Sequence, residues 1–269
     1  MRTHRVTHFR CALPGVEAAA LLTDHAFPRH SHDAFGIGLM AEGAQRSWSG
    51  IGPVEASAGD VITVNPGEVH DGAPLGAAPR GWRMLYLDPA LVAREVADDG
   101  GATPPEIGRP ALRDPLLATL FARLFARATD ASPDALAVEE DLLRTLRHLL
   151  RHHGARSPRA AAPPSPAVAA ARRRLDEAPH LPVTLAELAA LAGASRFALL
   201  RGFAREVGAT PHAYLVGRRV LLARRLLAAG QSPAEAAQGA GFADQSHLTR
   251  AFRRHLGTTP ARYRAAVAG

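Results

Sequence analysis

The stretch GFADQSHLTRAFRRHLGTTPARYR, residues 241–264, decides how this chain is read. Five arginines, two histidines and three threonines surround a thin apolar skeleton of Phe242, Leu248, Phe252, Leu256 and Tyr263. Leu248 and Phe252 lie one helical turn apart, so they share a face turned to a core while polar residues take the other faces. The same skeleton occurs 49 residues earlier. LLRGFAREVGATPHAY (199–214) aligns with LTRAFRRHLGTTPARY (248–263) through Leu-x-Arg-x-Phe-x4-Gly-x-Thr-Pro-x-x-Tyr. Leu199, Arg201, Phe203, Gly208, Thr210, Pro211 and Tyr214 carry the first copy. Leu248, Arg250, Phe252, Gly257, Thr259, Pro260 and Tyr263 carry the second.

Each copy follows a second short helical pattern. TLAELAALAG opens with Thr184 and Glu187, and SPAEAAQGAG with Ser232 and Glu235, the spacing of a capping box. Pro233 suits the first helical turn, and Gly193 and Gly241 supply turns before the next helix. Two helix-turn-helix units in tandem are the result, joined by a helix through Val216, Val220, Leu221, Leu226 and Leu227. The second helix of such a unit enters the major groove. On that helix Gln245, Ser246, Thr249 and Arg250 share one face in the second unit, and Arg196, Phe197, Leu200 and Arg201 in the first. Arg reads guanine bidentately and Gln reads adenine, whereas Ser and Thr discriminate less. The first face has fewer hydrogen-bonding groups and is expected to read thymine methyls or shape. Arg253 and Arg254 are expected on phosphates, which fix position rather than sequence. An arginine-rich helix face alone would be ordinary solvated surface; the repeat and the caps favour the DNA reading.

Charge follows the same division. Residues 1–165 hold 17 arginines and 19 acids, a net −2, whereas residues 166–269 hold 15 arginines and 6 acids, a net +9. Such asymmetry is the footprint of a nucleic-acid or other anionic partner. The chain has no lysine, so its use of arginine does not itself argue for bidentate contacts. No long apolar run predicts a membrane span, the N-terminus lacks a secretory apolar core, and the single Cys11 allows no internal disulfide. A cytoplasmic location is expected.

Upstream, short apolar stretches broken by Gly, Pro, Asn and Asp run from about residue 20 to 88, including FGIGLMAEG, GDVITVNPGEVHDG and GWRMLYLDP. They predict a small β-barrel or sandwich. The composition of the first twenty or so residues assigns them no role. Leu116, Leu117, Leu120, Phe121, Leu124 and Phe125, then Leu142, Leu143, Leu146, Leu149 and Leu150, predict two amphipathic helices. These either cover the barrel or form a dimer interface, or do both. The proline-rich run at 154–165 predicts a linker. The expected division is therefore 1–153 for effector binding and dimerisation, 154–165 for the linker, and 166–269 for DNA binding.

Residues 166–269 closely resemble the DNA-binding region of the AraC/XylS family of bacterial transcription regulators, most densely over 241–264. The resemblance implies two recognition helices in successive major-groove segments, with the base-facing residues named above. Leu200 departs from the polar residue common there. FPRHSHDAFGIGLMAEG followed by GDVITVNPGEVH resembles the paired motifs of a cupin barrel, the usual N-terminal partner in this family. His30, His32 and His70 match three of the four metal-ligand positions of metal-binding cupins. The fourth would fall near Phe35–Ile37, a stretch that contains no carboxylate, and Asn65 replaces a typical proline. Relatives in this family imply that the first twenty or so residues form an arm over the pocket or against the DNA-binding region.

The whole predicts an α+β chain: a cupin-like β-barrel with dimerisation helices, then an all-α tandem helix-turn-helix domain. It is expected to regulate transcription, as activator or repressor, rather than to catalyse a reaction. Its expected partners are double-stranded DNA, a small-molecule effector, a second copy of the chain and RNA polymerase. Effector-site candidates are His30, His32, Trp48, His70, Trp82 and Arg83. No cofactor is required. The alternatives are a regulator responding to a divalent metal on His30, His32 and His70, and a cupin metalloenzyme with a DNA-binding tail.

Overall fold

The computed structural model describes residues 3–11, 13–98, 106–155 and 164–267. They form two compact units: one holds most of the strands and the first three helices, and the other holds the remaining helices with the short segments Phe27–Ser31 and Val69–Asp71.

The strands are β1 (His4–Phe9), β2 (Val16–Thr23), β3 (Phe27–His30), β4 (Phe35–Glu42), β5 (Ala44–Ser49), β6 (Gly52–Ser57), β7 (Val61–Val64), β8 (His70–Pro74) and β9 (Arg80–Leu87), followed by β10 (Glu106–Ile107), β11 (Ala111–Leu112) and β12 (Gly154–Ala155). They build a six-stranded sheet in the order β1-β2-β9-β4-β7-β11, a four-stranded sheet β3-β8-β5-β6 and a pair β10-β12. The first twenty residues are not a separate arm. β1 pairs antiparallel with β2 from His4 opposite Thr23 to Phe9 opposite Ala18, and β2 pairs in turn with β9. The run VEAAALLT has few of the branched or aromatic residues that mark a strand, and its extended form is imposed by neighbours on both sides.

Helix α1 (Pro89–Asp98) follows β9, and α2 (Pro115–Ala128) and α3 (Ala135–His153) pack on the large sheet. Period-2 alternation sends Phe35 and Ile37 of β4 and Leu85 and Leu87 of β9 to one sheet face. There they join Leu117, Phe121, Leu124 and Phe125 of α2 and Leu142, Leu146 and Leu149 of α3 in one core. Of the leucines left outside it, Leu120 and Leu150 are half-buried, and Leu116, Leu136 and Leu143 are exposed. Between the helices the fully buried Asp141 receives Arg127 Nη1 at 2.9 Å and Arg123 Nη2 at 2.7 Å. The linker expected at 154–165 lies mainly outside the described residues, while its first two residues form β12.

The helical unit comprises α4 (Pro166–Glu177), α5 (Leu185–Leu191), α6 (Arg196–Val207), α7 (Pro211–Ala228), α8 (Pro233–Gly239), α9 (Gln245–Leu256) and α10 (Pro260–Val267). Both capping boxes form: Thr184 with Glu187 starts α5, and Ser232 with Glu235 starts α8. The repeated Gly-x-Thr-Pro now has a physical meaning. Gly208 and Gly257 end α6 and α9 at φ 81° and 69°, a left-handed conformation that a side chain resists. Thr210 and Thr259 then accept from the amides of Ala213 and Arg262, and the prolines occupy the first helical positions of α7 and α10. The repeated Phe and Tyr meet in both copies, Phe203 with Tyr214 and Phe252 with Tyr263, each with ring centroids 5.6 Å apart. Helix α7 ties the units together, placing Tyr214 and Leu215 in the first core and Val220, Ala223 and Leu227 in the second.

Candidate nucleic-acid interface and effector pocket

In each helix-turn-helix unit a short capped helix leads through a positive-φ glycine into the recognition helix. Gly193 (φ 61°) makes the turn from α5 to α6, and Gly241 (φ 80°) the turn from α8 to α9. A Cβ at Gly241 would strike the His180 backbone, so that turn is closed to any other residue. Ser195 caps α6 through the Ala198 amide, and Asp244 caps α9 through the His247 amide at 2.6 Å. These caps fix where the first turn of each recognition helix begins, and therefore which side chains lead.

On α9, Leu248, Ala251 and Phe252 turn inward, while Gln245, Ser246, Arg250 and Arg253 are exposed. Thr249 is half-buried and its hydroxyl donates to the Gln245 carbonyl at 2.8 Å, so it is already engaged within the helix. On α6, Leu199, Phe203 and Val207 turn inward, while Arg196, Phe197 and Arg201 are exposed and Leu200 is half-buried. Phe197 is 67% exposed, an unusual cost for an aromatic ring, and the Arg201 guanidinium lies 4.6 Å from its centroid. Other arginines of this unit are structural. Arg218 and Arg172 pair with Asp176, and Arg219 donates to the Pro179 and Leu181 carbonyls, burial lowering its pKa. By contrast Arg196, Arg201, Arg250 and Arg253 make no ion pair among the described residues, so their charge remains available to an anionic partner.

In the other unit the strand faces sort the effector candidates. Along β9, Arg80, Trp82, Met84 and Tyr86 share one face, and Arg83, Leu85 and Leu87 the other. Arg83 therefore points to the helix side, where its guanidinium lies 5.7 Å from the Phe125 ring centroid. Its neighbour Arg80, which sequence reasoning passed over, is the buried arginine. It donates to the Gln45 side chain at 3.2 Å, the His25 carbonyl at 3.1 Å and the Gly72 carbonyl at 3.0 Å. Burial pushes its pKa down to about 10, still charged at neutral pH. Trp82 lies beside it, 5.0 Å from the guanidinium. On β5, Gln45 points toward Arg80, so Trp48, an odd number of positions away, shares the opposite face with Arg46. Gly36 and Gly38 of β4 leave room over which Met84 lies; a Cβ at either would come within 2.5 Å of that side chain. The motif FGIGLM thus makes space on the face that bears Trp82 and Tyr86.

Of the three histidines matched to metal-ligand positions, His30 and His70 come together and His32 sits against Tyr86. His30 and His70 have ring centroids 4.4 Å apart, and His32 lies 4.9 Å from Tyr86. Burial, and then His70, push the His30 pKa down to about 3. Asn65, where the cupin pattern has proline, is a structural clip: its side chain exchanges two hydrogen bonds with the Ile107 backbone, at 3.0 and 2.8 Å, and so holds β10. Cys11 is half-buried, and burial, then Glu17, raises its thiol to about 11, which keeps it protonated. No helix among the described residues is long and apolar enough to cross a membrane.

Residues 15–146 match a family described as the AraC-like ligand binding domain, and residues 188–266 one described as a helix-turn-helix domain. The HTH-type transcriptional regulator YbfI of Bacillus subtilis is 30% identical over 224 residues, which span 82% of this chain and 81% of YbfI. The HTH-type transcriptional regulator RipA of Corynebacterium glutamicum is 38% identical over 104 residues, 38% of this chain and 31% of RipA. Among solved structures, an apo ToxT variant from Vibrio cholerae aligns with 96% of this chain and 100% of its own, with TM-score 0.59 and 11% identity. ToxT from the same organism bound to an unsaturated fatty acid aligns with 100% and 99%, with TM-score 0.56 and 13% identity. At such identity the likeness is one of fold.

Proposed function

The chain belongs to the AraC family of transcriptional regulators, with a ligand-binding and a helix-turn-helix domain, and from that premise we propose that α6 and α9 read a specific DNA sequence under control of a small molecule. The observation that supports this most is the pair of recognition helices on one capped frame, whose exposed arginines make no ion pair among the described residues. In this reading Arg196, Phe197 and Arg201, with the half-buried Leu200, meet one major-groove segment. Gln245, Ser246, Thr249 and Arg250 meet the next, and Arg253 holds a phosphate.

The effector lies against the sheet face bearing Trp82, Met84 and Tyr86, with His32 beside Tyr86. It acts by binding one arrangement of the protein better than another, and shifts the population by no more than that difference in affinity. The exposed Leu136 and Leu143, two turns apart on α3, with Leu116 on α2, form the contact of a homodimer. Two copies would then read a repeated site, and recruitment of RNA polymerase is the step that such a complex would influence.

The test is selection of binding sites from a random-sequence DNA pool with the purified full-length protein at physiological salt. The expected product is a repeated site, each repeat holding two short elements about one helical turn, roughly 10 base pairs, apart. Its affinity should fall steeply as salt rises. A pool that stays random after repeated rounds would reduce the protein to a nonspecific basic binder.

A further inference from the structure

A cluster of metal-ligating groups lies where the start of α2 meets the end of α3. Asp114, the N-cap of α2, uses its two carboxylate oxygens differently. Oδ1 accepts from the Leu117 amide at 3.0 Å and so starts the helix. Oδ2 faces the other way, toward the C-terminal end of α3, where both His148 Nε2 and His153 Nε2 approach it at 2.8 Å. The three ligand atoms lie within 4.8 Å of one another. Each of the three side chains is shielded but open to solvent, at 16% exposure for Asp114 and His148 and 22% for His153. The ring of a further imidazole, the exposed His152, lies 4.6 Å from that of His148.

We propose that Asp114, His148 and His153 form a binding site for Zn2+, with water or His152 as the fourth ligand. Two imidazole nitrogens and one carboxylate oxygen are the donor set of many three-ligand zinc sites, in which the fourth position stays open. Zinc sits about 2.0–2.2 Å from such donors, so tetrahedral neighbours are about 3.3 Å apart. The two 2.8 Å separations thus need to open by only about half an ångström to admit the ion, which then takes the place of the protons now shared between rings and carboxylate. A helix cap alone does not require this arrangement. Capping uses Oδ1 and a backbone amide, and leaves unexplained why two histidines, five residues apart at the end of α3, both address Oδ2. His153 is the last residue of α3, and the chain departs from helical geometry at Gly154, which lets two rings at that spacing converge. An ion here would tie the first turn of α2 to the last turn of α3.

The experiment is calorimetric titration of chelator-stripped full-length protein with Zn2+, and thermal melting with and without the ion. The parent protein should bind with one-to-one stoichiometry at this site and melt at a higher temperature as Zn2+ is raised. The double variant His148→Gln/His153→Gln should lose that binding event and its melting shift. Asp114→Asn keeps a capping oxygen for the Leu117 amide but removes the anionic ligand. It should fold and bind at least tenfold more weakly. His30→Gln/His70→Gln should leave this binding event unchanged. Absence of Zn2+ binding in the parent, or unaltered affinity in Asp114→Asn or in the His148/His153 variant, would overturn the assignment. Loss of all binding in the His30/His70 variant would overturn it as well.

Discussion

The α5–α6 unit and the α8–α9 unit share a frame down to its capping residues and differ in what they hold outward. Both begin with a hydroxyl–glutamate capping box, turn at a positive-φ glycine, end the recognition helix on a left-handed glycine and bury a Phe–Tyr pair with centroids 5.6 Å apart. Outward, α9 presents Gln245, Ser246 and Arg250, whereas α6 presents Arg196 and a bare phenyl ring stacked under Arg201. A frame repeated this closely with faces so unlike implies that folding holds the frame and leaves the outward faces free to differ. The chemistry of the second face suits hydrogen bonds to base edges, and that of the first suits charge and apolar contact.

The largest effect should come from breaking what the two units share. Phe203→Ala and Phe252→Ala each remove a fully buried ring from the centre of a small core, at a cost of about 3–5 kcal/mol. Urea unfolding of the two variants would compare the frames directly. Similar losses are expected, since burial and the Tyr partner are alike. A loss confined to one variant would show that the other unit is held chiefly by its contacts with α4 or α7 rather than by the repeated pair.

The next effect should separate reading from holding within the second unit. Arg250→Ala should weaken binding to the selected site by about 1–3 kcal/mol and relax sequence preference at one position, with little change on random DNA. Arg253→Ala, one turn nearer the C-terminal end, should weaken both DNAs alike and lower the slope of log affinity against log salt by about one. Binding isotherms on both DNAs over a salt series measure each quantity. Equal losses on specific and random DNA for Arg250→Ala would make it a phosphate contact and leave Gln245 and Ser246 as the readers.

The helical unit was legible in the sequence because its information is local. Gly-x-Thr-Pro marks a helix end and the next helix start within four residues, and Ser-x-x-Glu or Thr-x-x-Glu marks another start, so each boundary is written where it occurs. The sheet unit was legible only in outline. Alternation along RGWRMLYL separates Arg80, Trp82 and Tyr86 from Arg83 and Leu85, but both faces carry an arginine and large apolar groups, so nothing local says which face α2 and α3 will cover. Arg83 and Trp48 stood among the effector candidates for that reason; the structure turns Arg83 toward Phe125 of α2 and buries Arg80, which was not among them. β1 and β2 were missed because strand pairing, not the alanine-rich sequence, makes them strands. Asp114 lies 34 residues from His148 and 39 from His153, a separation at which only the packing of α2 on α3 reveals a cluster.

The smallest effect tests the first face. Phe197 is 67% exposed, so truncating it removes almost no core contact and should leave the unfolding transition where it was. What it removes is the ring under Arg201, a cation–π contact worth about 0.5–1 kcal/mol at an exposed site, together with an apolar surface suited to a thymine methyl. Phe197→Ala should therefore weaken binding to the selected site by about 0.5–1 kcal/mol. The loss should shrink when thymine in the first element is replaced by uracil, which lacks the methyl. That substitution distinguishes contact with a base from mere positioning of Arg201, because positioning is indifferent to the methyl group. A loss larger than that of Arg250→Ala would reverse the ranking, making the phenyl ring of α6, not the polar face of α9, the principal source of specificity.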